Sequence, residues 1–590
     1  MDSHQDPFDG DEEAALRYAI ALSLQDPNVP ASPSTAQRPI VLDEGEDEEE
    51  DLENGPKCPP TPKKPSQLAG KPTRTLPATS HSQIAPHATP SHIKPSSLSS
   101  LGLDRKKMEE ERLARVAKRK APPDEDALQR LPQRIKIDGQ PKVTPLAAPA
   151  PISSASTKSP QLPYPKGVVR RTWAAGYPRQ DDIKIEEIFQ KDQLELAVLS
   201  SFQWDDEWLL TKINVNKTKL VCIAFASNDQ QKEAMRANVP RDRIRFCFPP
   251  MMPAGSMHSK LQLLKFPNYL RLVIPTGNLV PYDWGETGVM ENMVFLIDLP
   301  TTTKSETPPT MFNQELCYFL TACGLDSTLI NSLSKYDFSE TSQYRFIHTI
   351  GQSHIGDAWQ RTGYCGLGRA VESLGLTTDS EVELDFVVAS LGSVSTDLTS
   401  AIYNATQGDN GLKEYNRRTN GGPKKKATQK VGPSYHPDNF RIYFPSHETV
   451  SRSRGGKNSG GTICLQSKWW DSPMFPRELV HDCESVRPGL LMHTKILFVR
   501  HPHRDKSHWA YLGSANLSES AWGRLVKDRA SGQPKLNCRN WECGVLIPME
   551  SQAGKSGWSS FENRIPIPMI VPGEAYGKTN SKRPWLFLEA

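Results

Sequence analysis

Two short segments carry the groups best suited to chemistry. Met257-His258-Ser259-Lys260-Leu261 is matched by Met492-His493-Thr494-Lys495-Ile496, and downstream Thr276-Gly277-Asn278-Leu279 is matched by Ser514-Ala515-Asn516-Leu517. The His-to-Asn spacing is 20 residues in the first copy and 23 in the second, and a Trp follows each Asn by six residues, Trp284 and Trp522. A lone His-x-Lys says nothing; two that share the following Asn-Leu and the Trp spacing make an internal repeat. Imidazoles can attack an electrophile or move a proton. Ammonium and carboxamide N–H groups can hold phosphoryl oxygens whose negative charge grows in a transition state. No dense Asp/Glu cluster accompanies them, so at a phosphoryl group two lysines would supply the charge that a metal pair supplies in two-metal sites.

The elements around these residues are expected to bring them together. Residues 261–264 and 496–499 read as strands, and on a strand i and i+2 share a face. His258 and Lys260 therefore point together, as do His493 and Lys495. Residues 270–274 and 509–512 read as neighbouring strands that deliver Asn278 and Asn516 to the same end. Helix-like stretches (182–200) alternate with strand-like ones (219–225), which predicts α/β layers. The repeat divides the folded region into halves at 164–378 and 379–590, and pseudo-twofold pairing would bring both triplets to one cleft. Residues 405–436, with Lys424-Lys425-Lys426, and 451–461 read as long exposed basic loops.

Ahead of these halves the composition changes. Of the 12 Trp, 15 Tyr and 19 Phe, only Phe8, Tyr18 and Tyr164 precede position 166, whereas half of the 50 prolines do. Such a segment cannot bury enough apolar surface to offset its backbone entropy, so residues 1–163 are expected to be a disordered tail. Within it, residues 11–26 place Leu16, Ala19, Ile20 and Ser23 on one helical face behind an acidic start, a pattern that resembles a ubiquitin-interacting motif. Pro39-Ile40-Val41-Leu42, followed by nine acidic residues between Asp43 and Glu53, reads first as an acidic linker and second as a SUMO-interacting segment. Arg105-Lys106-Lys107 and Lys118-Arg119-Lys120 resemble a bipartite nuclear localisation signal, and Thr61-Pro62-Lys63-Lys64 a proline-directed kinase site. No run of 18 apolar residues predicts a membrane span, and the acidic N-terminus leads into no signal-like apolar run. The ten cysteines form no C-x-x-C pair, so reduced thiols in a cytosolic or nuclear protein, without structural zinc, are expected. The net charge of +3 averages an acidic tail against basic stretches.

The duplicated His-x-Lys…Asn pattern resembles the phospholipase D superfamily, and in detail the tyrosyl-DNA phosphodiesterase family. The wider superfamily carries Asp five residues after each Lys; Lys265 and Arg500 stand there instead, a departure that family shares. The resemblance extends over about 164–590, including Trp-Glu-Cys-Gly-Val-Leu at 541–546 and Arg583-Pro584-Trp585. It implies an α/β fold of two similar phospholipase-D-like α-β-α sandwich halves related by pseudo-twofold symmetry. It also implies hydrolysis, without metal or other cofactor, of the bond between a DNA 3′-phosphate and the tyrosine of a stalled topoisomerase I. By the same resemblance His258 is the nucleophile, forming a phosphohistidine, and His493 is the general acid and then base. Lys260, Lys495, Asn278 and Asn516 would hold the phosphoryl oxygens. Glu542 would support an imidazole, and its repeat-mate by local pattern is Glu291. Ser390, Ser393, Lys468 and Ser518 match positions that touch DNA. Some members stack a Phe on the DNA four residues before the nucleophile; Ala254 stands there, with Phe246 and Phe248 as substitutes. A monomeric nuclear enzyme is the expectation, against two alternatives: a lipid-type phospholipase D and an idle ubiquitin-binding scaffold.

Overall fold

Two mixed sheets dominate the computed structural model, which describes residues 162–303, 308–419, 435–502, 507–550, 556–576 and 582–587. The first sheet runs Asp182–Ile183, Val168–Thr172, Met293–Pro300, Tyr269–Pro275, Gln262–Lys265, Leu196–Ser200, Lys219–Ile223, Ile244–Cys247. The second runs Arg345–Thr349, Glu542–Pro548, Trp509–Gly513, Ile496–Arg500, Glu383–Val387, Phe440–Tyr443, Val480–His481. Apart from Asp182–Ile183 the two orders correspond strand for strand. In each, four antiparallel pairings are followed by two parallel ones. The repeat is thus a repeat of topology.

It begins at Val168 and again at Arg345, so the division expected at 378/379 falls inside the second unit. Arg345–Thr349 joins the second sheet beside Glu542–Pro548, and Gly363–Ser373 packs into that half's core. No shift of composition marks this junction.

Strand alternation assigns each side chain to a layer. Leu270, Leu272 and Ile274 share a central core with Ile496, Phe498, Ala510 and Leu512 of the other half. Tyr269 and Val273 face a separate core with Ile188, Phe189, Trp208 and Leu209; Leu497, Val499, Trp509 and Tyr511 face a third. The helix Met311–Ala322, capped by Thr310, adds Phe312, Leu316, Phe319 and Leu320 to the central layer. The two halves therefore share one apolar seam.

Two sequence expectations change. Residues 182–200 are not one helix: Ile185–Phe189 is helical, but Leu196–Ser200 is an inner strand whose Ala197 to Ser200 are buried. A strand covered on both faces loses the alternation that would distinguish it from a helix. Within 405–436, Leu412–Thr419 forms a helix, fixed by buried Tyr415 and by Arg418 bonding Glu414 one turn back. The segments at 11–26, 43–53, 61–64 and 105–120, and Lys424-Lys425-Lys426, lie outside the described residues. Among the described residues no helix is long and apolar enough to cross a membrane, and no two cysteines join in a disulfide.

Candidate active site

Each His-x-Lys segment is held by the opposite half. The His258 amide donates to the Trp541 carbonyl at 3.0 Å, and the His493 amide to the Glu291 carbonyl at 3.0 Å. These sit in parallel bridges, Met257 to Trp541 and Met492 to Glu291. The exchange brings both triplets to one place at the seam. Lys260 Nζ lies 3.3 Å from His258 Nε2 and donates to the His258 carbonyl at 2.9 Å. Lys495 Nζ donates to the His493 carbonyl and, across the seam, to the Thr276 carbonyl at 3.3 Å. Asn278 follows Tyr269–Pro275 and Asn516 follows Trp509–Gly513. All six side chains are buried, each histidine being 4% exposed.

The carboxylates cross the seam as well. His258 Nδ1 donates to Glu542 Oε2 at 2.9 Å, which also accepts from Ser514 Oγ at 2.5 Å. His493 Nδ1 bonds Asp283 at 3.1 Å, and it is Asp283, not Glu291, that fills this place. Asp283 Oδ2 also accepts from the Asn278 amide at 2.6 Å, and Oδ1 from Asn292 Nδ2 at 3.0 Å. Glu291 touches neither ring. It is fully buried against Ser485 and Arg487, with Arg487 Nε at 2.7 Å, and so anchors the segment leading to His493. The bridges explain the error by one residue. Glu291 pairs with Met492 as Trp541 pairs with Met257, so Glu542 corresponds to Asn292. The turn bearing Asp283 requires Gly285, at φ +74°: a Cβ there would lie 1.6 Å from the Trp173 carbonyl oxygen.

Burial, reinforced by Lys260 and Lys495, pushes both imidazoles down from 6.5 to about 4, against the opposing pull of Glu542 and Asp283. Lys495 is held well below the usual lysine value by burial and by Lys260. Burial raises Glu542 and Asp283, but the histidine contacts, the neighbouring lysines and the hydrogen bonds from Ser514 and the Asn278 amide together outweigh it, and both end below the ordinary carboxylate value. The carboxylates thus orient the rings without making them basic. Each Nδ1–H is committed to a carboxylate, which leaves the Nε2 lone pair for chemistry.

This has a consequence for stability. The folded histidine values lie below the unfolded ones, so above about pH 6.5 both states are neutral and nothing is lost. As pH falls toward 4 the unfolded chain takes up protons that the folded one refuses, costing about 2 kcal/mol per ring by about pH 5. The denaturant midpoint should therefore fall more steeply on acidification in the wild-type protein than in a His258→Asn/His493→Asn variant. Parallel curves would contradict these environments.

The residues expected to touch DNA lie partly beside Asn516. Asn516 Oδ1 accepts from the amides of Ala389 and Ser390 at 3.1 Å each. Ser390–Leu391 pairs with Cys464–Leu465 and bridges Leu517. Ser518 caps Glu519–Trp522 by accepting from the Ala521 amide. Ser393 and Lys468 are exposed, the latter on Ser467–Trp470. Ala254 is exposed in the left-handed region at φ 53°. Phe246 and Phe248 stack on each other at 5.7 Å, with Arg236 over Phe248. The aromatic ring beside the candidate nucleophile is instead half-buried Phe202, 5.4 Å from His258. Lys265 and Arg500, where the superfamily carries Asp, pair with Glu195 at 2.7 Å and with Glu383 and Asp385 at 2.7 Å.

The sequence does not single out Asp283, Asn292 or Phe202, and it gives Ser514 only as a member of the repeat, without its bond to Glu542. The signal available for Asp283 was its place just before Trp284, but Ala521 holds that position in the second copy.

Comparisons agree with this architecture. A tyrosyl-DNA phosphodiesterase 1 of Arabidopsis thaliana is 24% identical over 395 residues, covering 63% of this chain and 60% of the relative. That of Drosophila melanogaster is 25% identical over 430 residues, with coverages of 67% and 68%. A probable tyrosyl-DNA phosphodiesterase of Caenorhabditis elegans is 28% identical over 308 residues, covering 50% and 63%. The chain thus spans about three fifths to two thirds of these relatives' lengths. The crystal structure of the yeast tyrosyl-DNA phosphodiesterase superposes with a TM-score of 0.52 at 18% identity, covering 71% of this chain and 99% of that one, a likeness of fold. Residues 168–577, which contain both His-x-Lys segments, both asparagines, Asp283 and Glu542, match the sequence profile of one family. The chain belongs to the tyrosyl-DNA phosphodiesterase family.

Proposed function

We propose that this protein is a DNA-repair phosphodiesterase that removes tyrosyl and related adducts from DNA 3′-phosphates through a covalent phosphohistidine, without metal. The observation that carries this reading is the crossed pair: two His-Lys-Asn sets meeting at the seam, each ring oriented by a carboxylate of the other half. In the first step His258 Nε2 attacks phosphorus. The P–N bond forms, the P–O bond to tyrosine breaks, and a proton on His493 Nε2 passes to the tyrosine oxygen. Lys260 releases His258 Nε2 and turns to a phosphoryl oxygen, alongside Lys495, Asn278 and Asn516. The anionic diester favours the protonated His493 that burial disfavours in the free protein. In the second step neutral His493 takes a proton from water, which attacks phosphorus. The P–N bond breaks, its electron pair returns to His258, and a 3′-phosphate leaves.

Positive charge here comes from Lys260 and Lys495, and among the described residues no three His, Cys, Asp or Glu side chains gather as a metal site. Turnover of a single-stranded 3′-phosphotyrosyl oligonucleotide should therefore be the same in EDTA as in Mg²⁺. Loss in EDTA with recovery on adding Mg²⁺ would overturn the mechanism.

We further propose that the enzyme is nuclear and monomeric, with ubiquitin docking on Leu16, Ala19, Ile20 and Ser23 and residues 43–53 serving as an acidic linker ahead of any SUMO contact. The basic clusters of the tail support the location; unchanged nuclear accumulation after neutralising Lys118, Arg119 and Lys120 would refute it.

A further inference from the structure

The two asparagines are held in different ways. Asn516 is gripped by backbone alone, its Oδ1 accepting from the Ala389 and Ser390 amides, which leaves Nδ2 as the free end. Asn278 has one backbone donor, the Gln203 amide, 3.4 Å from its Oδ1. Its second contact is to a side chain: Asn278 Nδ2 donates to Gln203 Oε1 at 3.4 Å. That oxygen also accepts from the Tyr282 hydroxyl at 2.5 Å. Tyr282 directly precedes Asp283, which bonds the Asn278 amide and His493.

We propose that Gln203 and Tyr282 are positioning residues that fix the carboxamide of Asn278 with Nδ2 toward the phosphoryl oxygen. The inference rests on Asn278 being a phosphate donor. A carboxamide has two ends of similar shape and opposite polarity, and a flip would set Oδ1 against an anionic oxygen. The Gln203 amide and Gln203 Oε1 select the same orientation, one as donor and one as acceptor. Gln203 could itself flip, and two donors on Oε1, the Tyr282 hydroxyl and Asn278 Nδ2, favour the observed end. Burial, with Asp283 and Asp205 beside it, keeps that phenol protonated and hence a donor. The Asn–Gln contacts are long and the Tyr–Gln contact is short. The relay is therefore anchored at Tyr282 and left loose at Asn278, where substrate binding can tighten it. Because Asn516 is held by backbone, substitutions at Gln203 and Tyr282 act on one half of the site only.

The test is a set of cycles with Gln203→Met and Tyr282→Phe, both close in shape to the native side chains. Each is expected to lower kcat on the phosphotyrosyl oligonucleotide by about tenfold, with KM rising only severalfold, since a donor is misdirected and not removed. In an Asn278→Ala background neither should lower kcat further; in an Asn516→Ala background both should keep their full effect. Equal effects in both backgrounds would overturn the proposal, as would no effect in the wild-type background. Affinity for inorganic phosphate, read from imidazole chemical shifts, provides an arm independent of the assigned substrate. Gln203→Met should lower it severalfold in the wild-type background and leave it unchanged in the Asn278→Ala background. Loss of phosphate affinity that persists in full on the Asn278→Ala background would refute the relay, whereas failure of wild-type turnover alone would count against the assigned substrate. Should Gln203→Met lower the unfolding midpoint, Tyr282→Phe carries the same comparison.

Discussion

His258→Ala is expected to cut turnover of a 3′-phosphotyrosyl oligonucleotide by at least about a thousandfold and to leave no covalent protein–DNA species. The free protein keeps this ring neutral, with Nδ1–H on Glu542 and Nε2 beside Lys260, as an attacking nitrogen requires. His493→Asn should behave differently, because its two tasks are not equally hard. Expelling tyrosine needs modest help, phenol having a pKa of about 10. Hydrolysing phosphohistidine needs a deprotonated water, whose pKa is about 15.7. The second step should slow more than the first, and adduct should build up.

Asp283→Asn is expected to cost about a thousandfold in turnover, with the second step again the more affected. Asp283 accepts the Nδ1 proton of His493. An amide nitrogen facing Nδ1 would instead favour the tautomer protonated at Nε2, which cannot take a proton from water. The same carboxylate also bonds the Asn278 amide, so the variant loosens a phosphate donor as well. Glu291→Gln makes the contrast. It should leave kcat near the wild-type value while lowering stability by about 3 kcal/mol, because buried Arg487 loses its charge partner. A large loss of kcat in Glu291→Gln with little in Asp283→Asn would reverse the assignment made from geometry.

That contrast marks what the sequence could and could not disclose. His258 with Lys260, and His493 with Lys495, were legible because each pair is local and its i, i+2 spacing means one thing on a strand. Asn278 and Asn516 were legible because the repeat aligns them. The carboxylates were not, because the repeat compares like with like and the halves are unlike here. Glu542 answers to Asn292 and Asp283 to Ala521, so each half supplies its carboxylate from a different strand or turn and sends it across the seam. A pattern search along the chain lands on Glu291, one residue off the structural register. Strand order was likewise out of reach: Arg345–Thr349 belongs to the second sheet only through its pairing with Glu542–Pro548, nearly 200 residues on. Leu196–Ser200 was obscured because burial on both faces erases alternation.

The central claim is that His258 forms the covalent bond and His493 resolves it. The direct measurement is to incubate wild-type, His258→Asn and His493→Asn proteins with a labelled 3′-phosphotyrosyl oligonucleotide in EDTA and quench into denaturant. The predicted result is a denaturant-stable protein–DNA band that accumulates in His493→Asn, with its phosphoramidate mapped to the peptide containing His258, and no band in His258→Asn. A band that accumulates in His258→Asn, mapped to the peptide containing His493, would contradict the account.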